Sequence, residues 1–321
     1  VLYDVTIYCA AGIKYILIPY RDLLSVQLFI VLSREEYMNS HESMVEYFYS
    51  HGPSIISDRY DTILQQTKEF LSFGYWEKGT KTYLQAAKNL LTFFIQNSKI
   101  EKATKILNVA CGYGAETFVY YDIFKPELIE GVDITRKHVE YSNKKAHDLH
   151  LDKWIKFHHG DACAMEYPEN SFSNIFAIEG PAHFRTREEF FSIASKILQK
   201  DGELLMTDII LGEKYNTAGS IKKRILSSCV KNWVIPEENI VNEDTYKMQM
   251  ERAGLKLVFF QKIGDKVFPG YALNALSLKT FFIRLSQRGW WTTWGLSFIS
   301  FLLGVLYKTG MIEYIYVKGR K

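Results

Sequence analysis

Cysteine is scarce: the 321 residues hold four, at positions 9, 111, 163 and 229, with no paired spacing. Cys111 stands inside a glycine turn, so a reduced, cytoplasmic setting is the natural reading rather than a disulfide framework. Charge of one sign is also lacking. The formal balance is +3 with no long basic block, which leaves nucleic-acid binding without its electrostatic footprint. The short clusters Lys222-Lys223-Arg224 and Gly319-Arg320-Lys321 read as solvated. No HxH or HExxH occurs, and the adjacent His158 and His159 would point to opposite faces of a strand, so no metal is expected. No GK[ST] follows the glycine turn, which removes a P-loop.

Long apolar runs are nearly missing as well. Residues 5–32 are strongly apolar but broken by Lys14, Pro19, Arg21 and Asp22, and the segments 5–18 and 23–32 are each short for a bilayer. The front of the chain shows neither a basic start nor a small-residue cleavage pattern. It reads as an accessory arm, with a membrane-surface segment, an upstream appendage and packed helices as open alternatives. Only Trp290–Tyr307 offers eighteen uncharged residues in a row. Strands are expected on both sides of it, at 255–261 and 312–317, and they must pair in one sheet. The stretch is therefore expected to be buried or to lie at an interface, with peripheral membrane contact through its tryptophans.

What the sequence does have is KILNVACGYG at Lys105–Gly114, followed about twenty residues later by VDIT at Val132–Thr135. A short apolar run with a β-branched bias breaks off at Cys111-Gly112-Tyr113-Gly114, and a helix can open at Ala115. This is a strand, a tight turn and a helix, the start of a nucleotide-binding α/β unit. The next run ends in Asp133, where a carboxylate at a strand tip can accept hydrogen bonds from both hydroxyls of a ribose.

From there the periods alternate as a doubly wound sheet requires, with strands near 105–110, 128–132, 155–158, 174–178 and 203–208 and helices at 115–123, 136–149 and 187–199. A helix near 241–253 follows. Right-handed crossovers bring the loops after the first strands to one edge. That edge collects Ala110 to Gly114, then Asp133 and Ile134, then Asp161 and Ala162, then Glu179-Gly180-Pro181-Ala182-His183-Phe184, with Asp208 ending the fifth strand. Asp161 and the Ala162 N–H suit the edge of an adenine. Upstream, helices are expected at Glu42–Ser50, Ser54–Phe70 and Tyr83–Gln96, with the aromatic turn Phe73-Gly74-Tyr75-Trp76 acting as a plug or as a lid over a ligand.

The third glycine of GxGxxG is absent; the register reads Gly112, Gly114, Thr117, which disfavours NAD. NVACGYGAET, EGVDIT, HHGDA and FAIEGPAHF together resemble the successive site motifs of class I S-adenosylmethionine-dependent methyltransferases. The similarity is greatest to the small-molecule branch that includes γ-tocopherol, sterol, sugar-O and sarcosine/dimethylglycine methyltransferases, and it covers the chain from about Phe73 onwards. The resemblance implies a mostly parallel seven-stranded Rossmann-like α/β sheet, with a helical N-terminal extension and an apolar helical insertion before the last strand. It implies a cofactor site of Tyr75, Trp76, Ala110, Gly112, Gly114, Asp133, Ile134, Asp161, Ala162 and Glu179 for S-adenosyl-L-methionine. Two positions depart from the pattern: Asn108 stands where an acid is common, and Ala115 where a further glycine is common.

The expected organisation is an apolar extension at 1–39, N-terminal helices and lid at 40–98, and a methyltransferase domain at 99–321 with a cap insertion at 210–240 and an apolar insertion at 272–309. His183 and Asp208 end neighbouring strands and are the expected proton-handling pair. The expected acceptor is lipid-like or isoprenoid. A polar amine or natural-product hydroxyl, a dehydrogenase, and a non-catalytic binder of the same cofactor remain as alternatives.

Overall fold

The computed structural model describes residues 5–8, 14–17, 30–31, 40–51, 69–98, 100 and 104–321. The helix expected at Ser54–Phe70 lies almost wholly outside the described residues, as does Cys9. The chain divides into two compact units, Val1–Met44 and Val45–Lys321. In the first, β1 (Val5–Tyr8), β2 (Lys14–Leu17) and β3 (Ile30–Val31) form a three-stranded antiparallel sheet. Short strands thus occur where packed helices were one expectation. VTIY and KYIL are β-branched and aromatic, and such residues favour a pleated surface over a helix. Helix α1 covers His41–His51.

The second unit is built on β4 (Lys105–Val109), β5 (Leu128–Asp133), β6 (Ile155–His159), β7 (Phe172–Ile178), β8 (Leu198–Leu211), β9 (Lys256–Lys262) and β10 (Ile312–Arg320). The sheet order is β6-β5-β4-β7-β8-β10-β9. Strands β4 to β8 run parallel, and β10 is antiparallel to both its neighbours. The seven-stranded, mostly parallel sheet expected from the sequence is therefore present.

Alternation along the strands divides the core between the two faces. Ile106, Phe176, Leu205, Tyr314 and Tyr316 join one apolar cluster. Their sequence neighbours Leu107, Ile175, Leu204, Met206, Ile315 and Val317 join the other. Around the sheet lie α2 (Tyr83–Ser98), α3 (Ala115–Phe124), α4 (Arg136–Asp148), α5 (Arg187–Ile197), α6 (Ser220–Asn232), α7 (Glu243–Arg252), α8 (Gly264–Ala275) and α9 (Leu278–Lys308).

Strand β8 is longer than the expected 203–208. Its register shifts opposite Phe172 and Asn174, and Asp201 takes φ +62°, so Lys200–Gly202 is absorbed as an irregularity of the strand. Helix α6 lies within the stretch 210–240 and packs against α9. Helix α9 is two helices meeting at Gly289, whose φ of 74° and ψ of 172° leave the helical region. No described helix is long and apolar enough to cross a membrane.

Candidate active site

The strand order reverses between β4 and β7, and the crevice at such a switch point is where open α/β sheets bind ligands. Two loops face each other there so closely that a Cβ on Gly180 would come within 2.4 Å of the Ala110 Cβ. Gly112 and Gly114 both take positive φ, +52° and +75°. At Gly114 a side chain would also strike Phe157 at 2.7 Å. The glycines let the turn lie flat at the mouth of the crevice. Thr117, the filled third position, accepts a 2.8 Å hydrogen bond from Asn108 Nδ2. Asn108, one of the two departures from the family pattern, and Thr117 thus pin β4 to α3.

Asp133 is buried and its oxygens are already engaged. Oδ2 accepts from the Gly112 N–H at 2.8 Å; Oδ1 accepts from the Thr135 N–H at 2.8 Å and lies 3.1 Å from His138 Nδ1. Burial pushes this carboxyl up, but the hydrogen bonds from His138, Thr135 and Gly112 outweigh it and hold it below the usual carboxylate range. Asp133 shapes the glycine turn from within. The group that reaches past it is His138, which the motif reading missed. Its ring is wedged against Tyr113, 4.1 Å between centroids, and its buried Nε2 has no hydrogen-bond partner among the described residues. A carboxylate on Nδ1 leaves Nε2 as an acceptor. Its only signal in the sequence is a histidine in the first turn of the helix after Asp133.

Tyr49, from α1, was likewise not singled out. Its hydroxyl lies 3.1 Å from His183 Nε2, and its ring stands edge-on to His183 at 5.5 Å and to His138 at 6.2 Å. Burial, with the nearby Asp133 and Glu179 carboxylates, raises the phenol well above its ordinary range. Glu179, at φ +58°, turns its carboxylate inward. It accepts from the Phe73 N–H at 2.8 and 3.1 Å and from the Tyr314 hydroxyl at 2.6 Å. Burial pushes its pKa up to about 8 against the pull of those donors. Glu116, at the start of α3, is raised to about 7, again by burial.

The remaining expected residues are spread more widely. Asp161 Oδ1 accepts from the Cys163 N–H at 2.8 Å in the loop after β6, where Ala162 is buried. The Ile134 carbonyl lies 2.9 Å from His159 Nε2. Tyr75 stacks on Phe93 at 4.9 Å, and Trp76 bonds the Phe73 carbonyl through Nε1 and packs over Gly270. It is Phe73 of the aromatic turn that meets Glu179.

His183 and Asp208 are not brought together as the expected pair. Asp208 is fully buried, held by Arg187 Nε at 2.6 Å and Nη2 at 3.0 Å, the Tyr246 hydroxyl at 3.2 Å and the Ile209 N–H at 2.7 Å. A parallel-strand argument brings both residues to one edge, but Arg187 at the start of α5 captures the acid first.

A family model described as a methyltransferase domain matches residues 100–264. The chain belongs to that methyltransferase family. S-adenosylmethionine is its cofactor, and the left-handed glycine turn with the unsatisfied His138 Nε2 beside it fits an adenosine-bearing ligand. Among relatives, the chain is 28% identical to erythromycin 3''-O-methyltransferase of Saccharopolyspora erythraea over 201 residues, 62% of this chain and 65% of that enzyme. It is 27% identical over 181 residues to a sterol 24-C-methyltransferase of Gibberella zeae, 55% of this chain and 45% of that one. The chain thus spans under two thirds of the length of both. The geranyl diphosphate C-methyltransferase of Streptomyces coelicolor shares the fold, with a TM-score of 0.66 at 12% identity, covering 88% of this chain and 98% of that one.

Proposed function

We propose that the protein transfers a methyl group from S-adenosylmethionine to a small lipid-like or isoprenoid acceptor. The observation that carries the reading is the convergence of Tyr49, His138, His183 and Glu179 on the crevice beside the glycine turn. The cofactor supplies an electrophilic methyl on a sulfonium. The Ala110–Gly114 turn and His138 hold its adenosine part, with Asp133 fixing both. The chain's other task is to align an acceptor, keep water out and take up a proton.

Tyr49 closes the crevice from the side of α1, and Phe73, packed on Phe268 and Tyr271, closes it from the aromatic turn. His183, steadied at Nε2 by the Tyr49 hydroxyl, is the group that receives an acceptor proton. Burial raises the Glu179 pKa to about 8, so it holds a proton more readily than an exposed carboxyl does. The aromatic lining and the sterol-acting relative favour a lipid-like acceptor. We also read Trp290–Tyr307 as a peripheral contact with the membrane that such an acceptor occupies. The macrolide-acting relative supports the second reading, a natural-product hydroxyl. Incubation with methyl-labelled cofactor and separate lipid and polar extracts tests these. Label confined to the polar fraction would move the assignment to the second reading, and no transfer to either would reject both.

A further inference from the structure

The second half of α9 is turned inside out. Trp290, Trp294, Phe298 and Phe301 recur at helical spacing, and all are about half exposed, from 48% to 59%. On the other side Thr293, Ser297 and Ser300 are buried with Leu303 and Leu306. Two of the inward hydroxyls cost little to bury: Thr293 donates to the Gly289 carbonyl and Ser300 to that of Leu296, each at 2.8 Å. Small residues then let the helix sit close on α8, where a Cβ on Gly304 would come within 3.0 Å of the Ala272 Cβ. The apolar exposure continues at the corner between α8 and α9 through Leu273, Leu276, Leu278 and Phe282. Isolated exposed apolar residues are ordinary; a continuous aromatic stripe over a buried hydroxyl side is not.

The charge pattern says what covers it. Helices α6 and α9 together hold eight of the 39 lysines and arginines and none of the 36 acids. The rest of the chain is net acidic. Helix α6 packs on α9 and exposes Ile221, Lys222 and Arg224, and Lys279 and Lys308 are exposed on α9 itself. We propose that α6 and α9 form the face by which the protein lies on a bilayer rich in anionic phospholipid, the aromatic stripe entering the headgroup region and the cations meeting the phosphates. A second copy docked through the same face would set these acid-free segments against their own cations, which disfavours self-association.

The inference rests on the reading of a peripheral contact and names the lipid that contact requires. It also gives α8 a purpose. The helix that backs α9 accepts the Trp76 N–H at the Lys266 carbonyl, 2.6 Å, and packs Phe268 and Tyr271 against Phe73 beside Glu179. The membrane face and the crevice are two sides of one packed layer.

Flotation with phosphatidylcholine vesicles, and with vesicles containing phosphatidylserine, tests the proposal. The full chain should partition at least about tenfold better onto the anionic vesicles, and less as salt rises. Lys222→Ala with Arg224→Ala should weaken this by roughly fivefold per cation. Trp294→Ala with Phe298→Ala should weaken it by roughly tenfold or more. S-adenosylhomocysteine binding in each variant should match the native protein and certifies the fold. Equal partition onto both vesicles would overturn the anionic requirement while leaving peripheral contact standing; partition onto neither would remove the contact itself. Variants that float like the native protein, or a stable dimer lost in Trp294→Ala with Phe298→Ala, would overturn the assignment of this face.

Discussion

Arg187 and Asp208 form a two-pronged ion pair that water does not reach: both side chains are almost completely buried, with N–O distances of 2.6 and 3.0 Å. The guanidinium also bonds the carbonyls of Ile209 and Asn239, and Asn239 in turn donates to the carbonyls of Ala182 and Phe184. The pair therefore anchors the loop that carries His183. Removing one partner leaves an uncompensated buried charge. Asp208→Ala should lose about 3–5 kcal/mol of stability in urea unfolding. Replacing both partners, as Arg187→Met with Asp208→Leu, should lose much less. A near-native unfolding midpoint for Asp208→Ala would show that the pair contributes nothing to the fold.

The hydrogen bonds at Asp133 give a second prediction. Asp133→Ala frees the Gly112 and Thr135 N–H groups and unlocks His138. Affinity for S-adenosylhomocysteine should fall by about 1.5–3 kcal/mol by calorimetry. His138→Ala keeps the glycine turn and should cost less, about 0.5–1.5 kcal/mol. Native affinity in His138→Ala would mean that its buried Nε2 meets no ligand.

The contrast between these residues shows what the sequence makes legible. Gly112, Gly114, Asp133 and Glu179 belong to local units whose chemistry is written within a few residues: a strand, a turn, and the tip of the next strand. Alternation likewise exposes the sheet, because each strand divides its own side chains between two faces. Partner choice is different. Asp208 is claimed by Arg187 and Tyr246, and His183 by Tyr49, 134 positions away. Only the closed fold selects among several chemically suitable partners. The reversal of β10 and the break at Gly289 are also tertiary, since the same residues would serve in a parallel strand or an unbroken helix.

Glu179 gives a pH prediction. Its pKa is 4.5 in an ordinary setting and about 8 in the fold. Between those values the unfolded chain has released the proton that the folded chain retains, so the unfolded state binds fewer protons and stability falls as pH rises. The loss begins above the unfolded value and is complete once pH passes about 8. Glu116 acts in the same direction over a narrower window, to about 7. Glu179→Gln, which stays neutral, should flatten the decline in urea midpoint between these limits without abolishing it. A slope identical to that of the native protein would show that Glu179 ionises freely in the folded state.

His183 and Tyr49 carry the last prediction. With an oxygen or acidic-carbon acceptor, His183 takes the proton as the methyl moves, and His183→Ala should slow single-turnover transfer by about 10²–10⁴-fold. Cofactor affinity should stay close to native, because His183 stands on the loop after β7 rather than in the glycine turn. Tyr49→Phe removes the 3.1 Å contact to Nε2 and keeps the ring. It should shift the pH dependence of the rate more than its maximum, since the hydroxyl steadies the imidazole without taking the proton itself. A neutral amine acceptor would need alignment more than a base, and both variants would then remain within about tenfold of native. The measurement is single-turnover methyl transfer across pH at matched cofactor occupancy. Unchanged rates and pH profiles in both variants would reject His183 as the proton acceptor, and they would leave the cofactor crevice to be judged by the Asp133 and His138 variants alone.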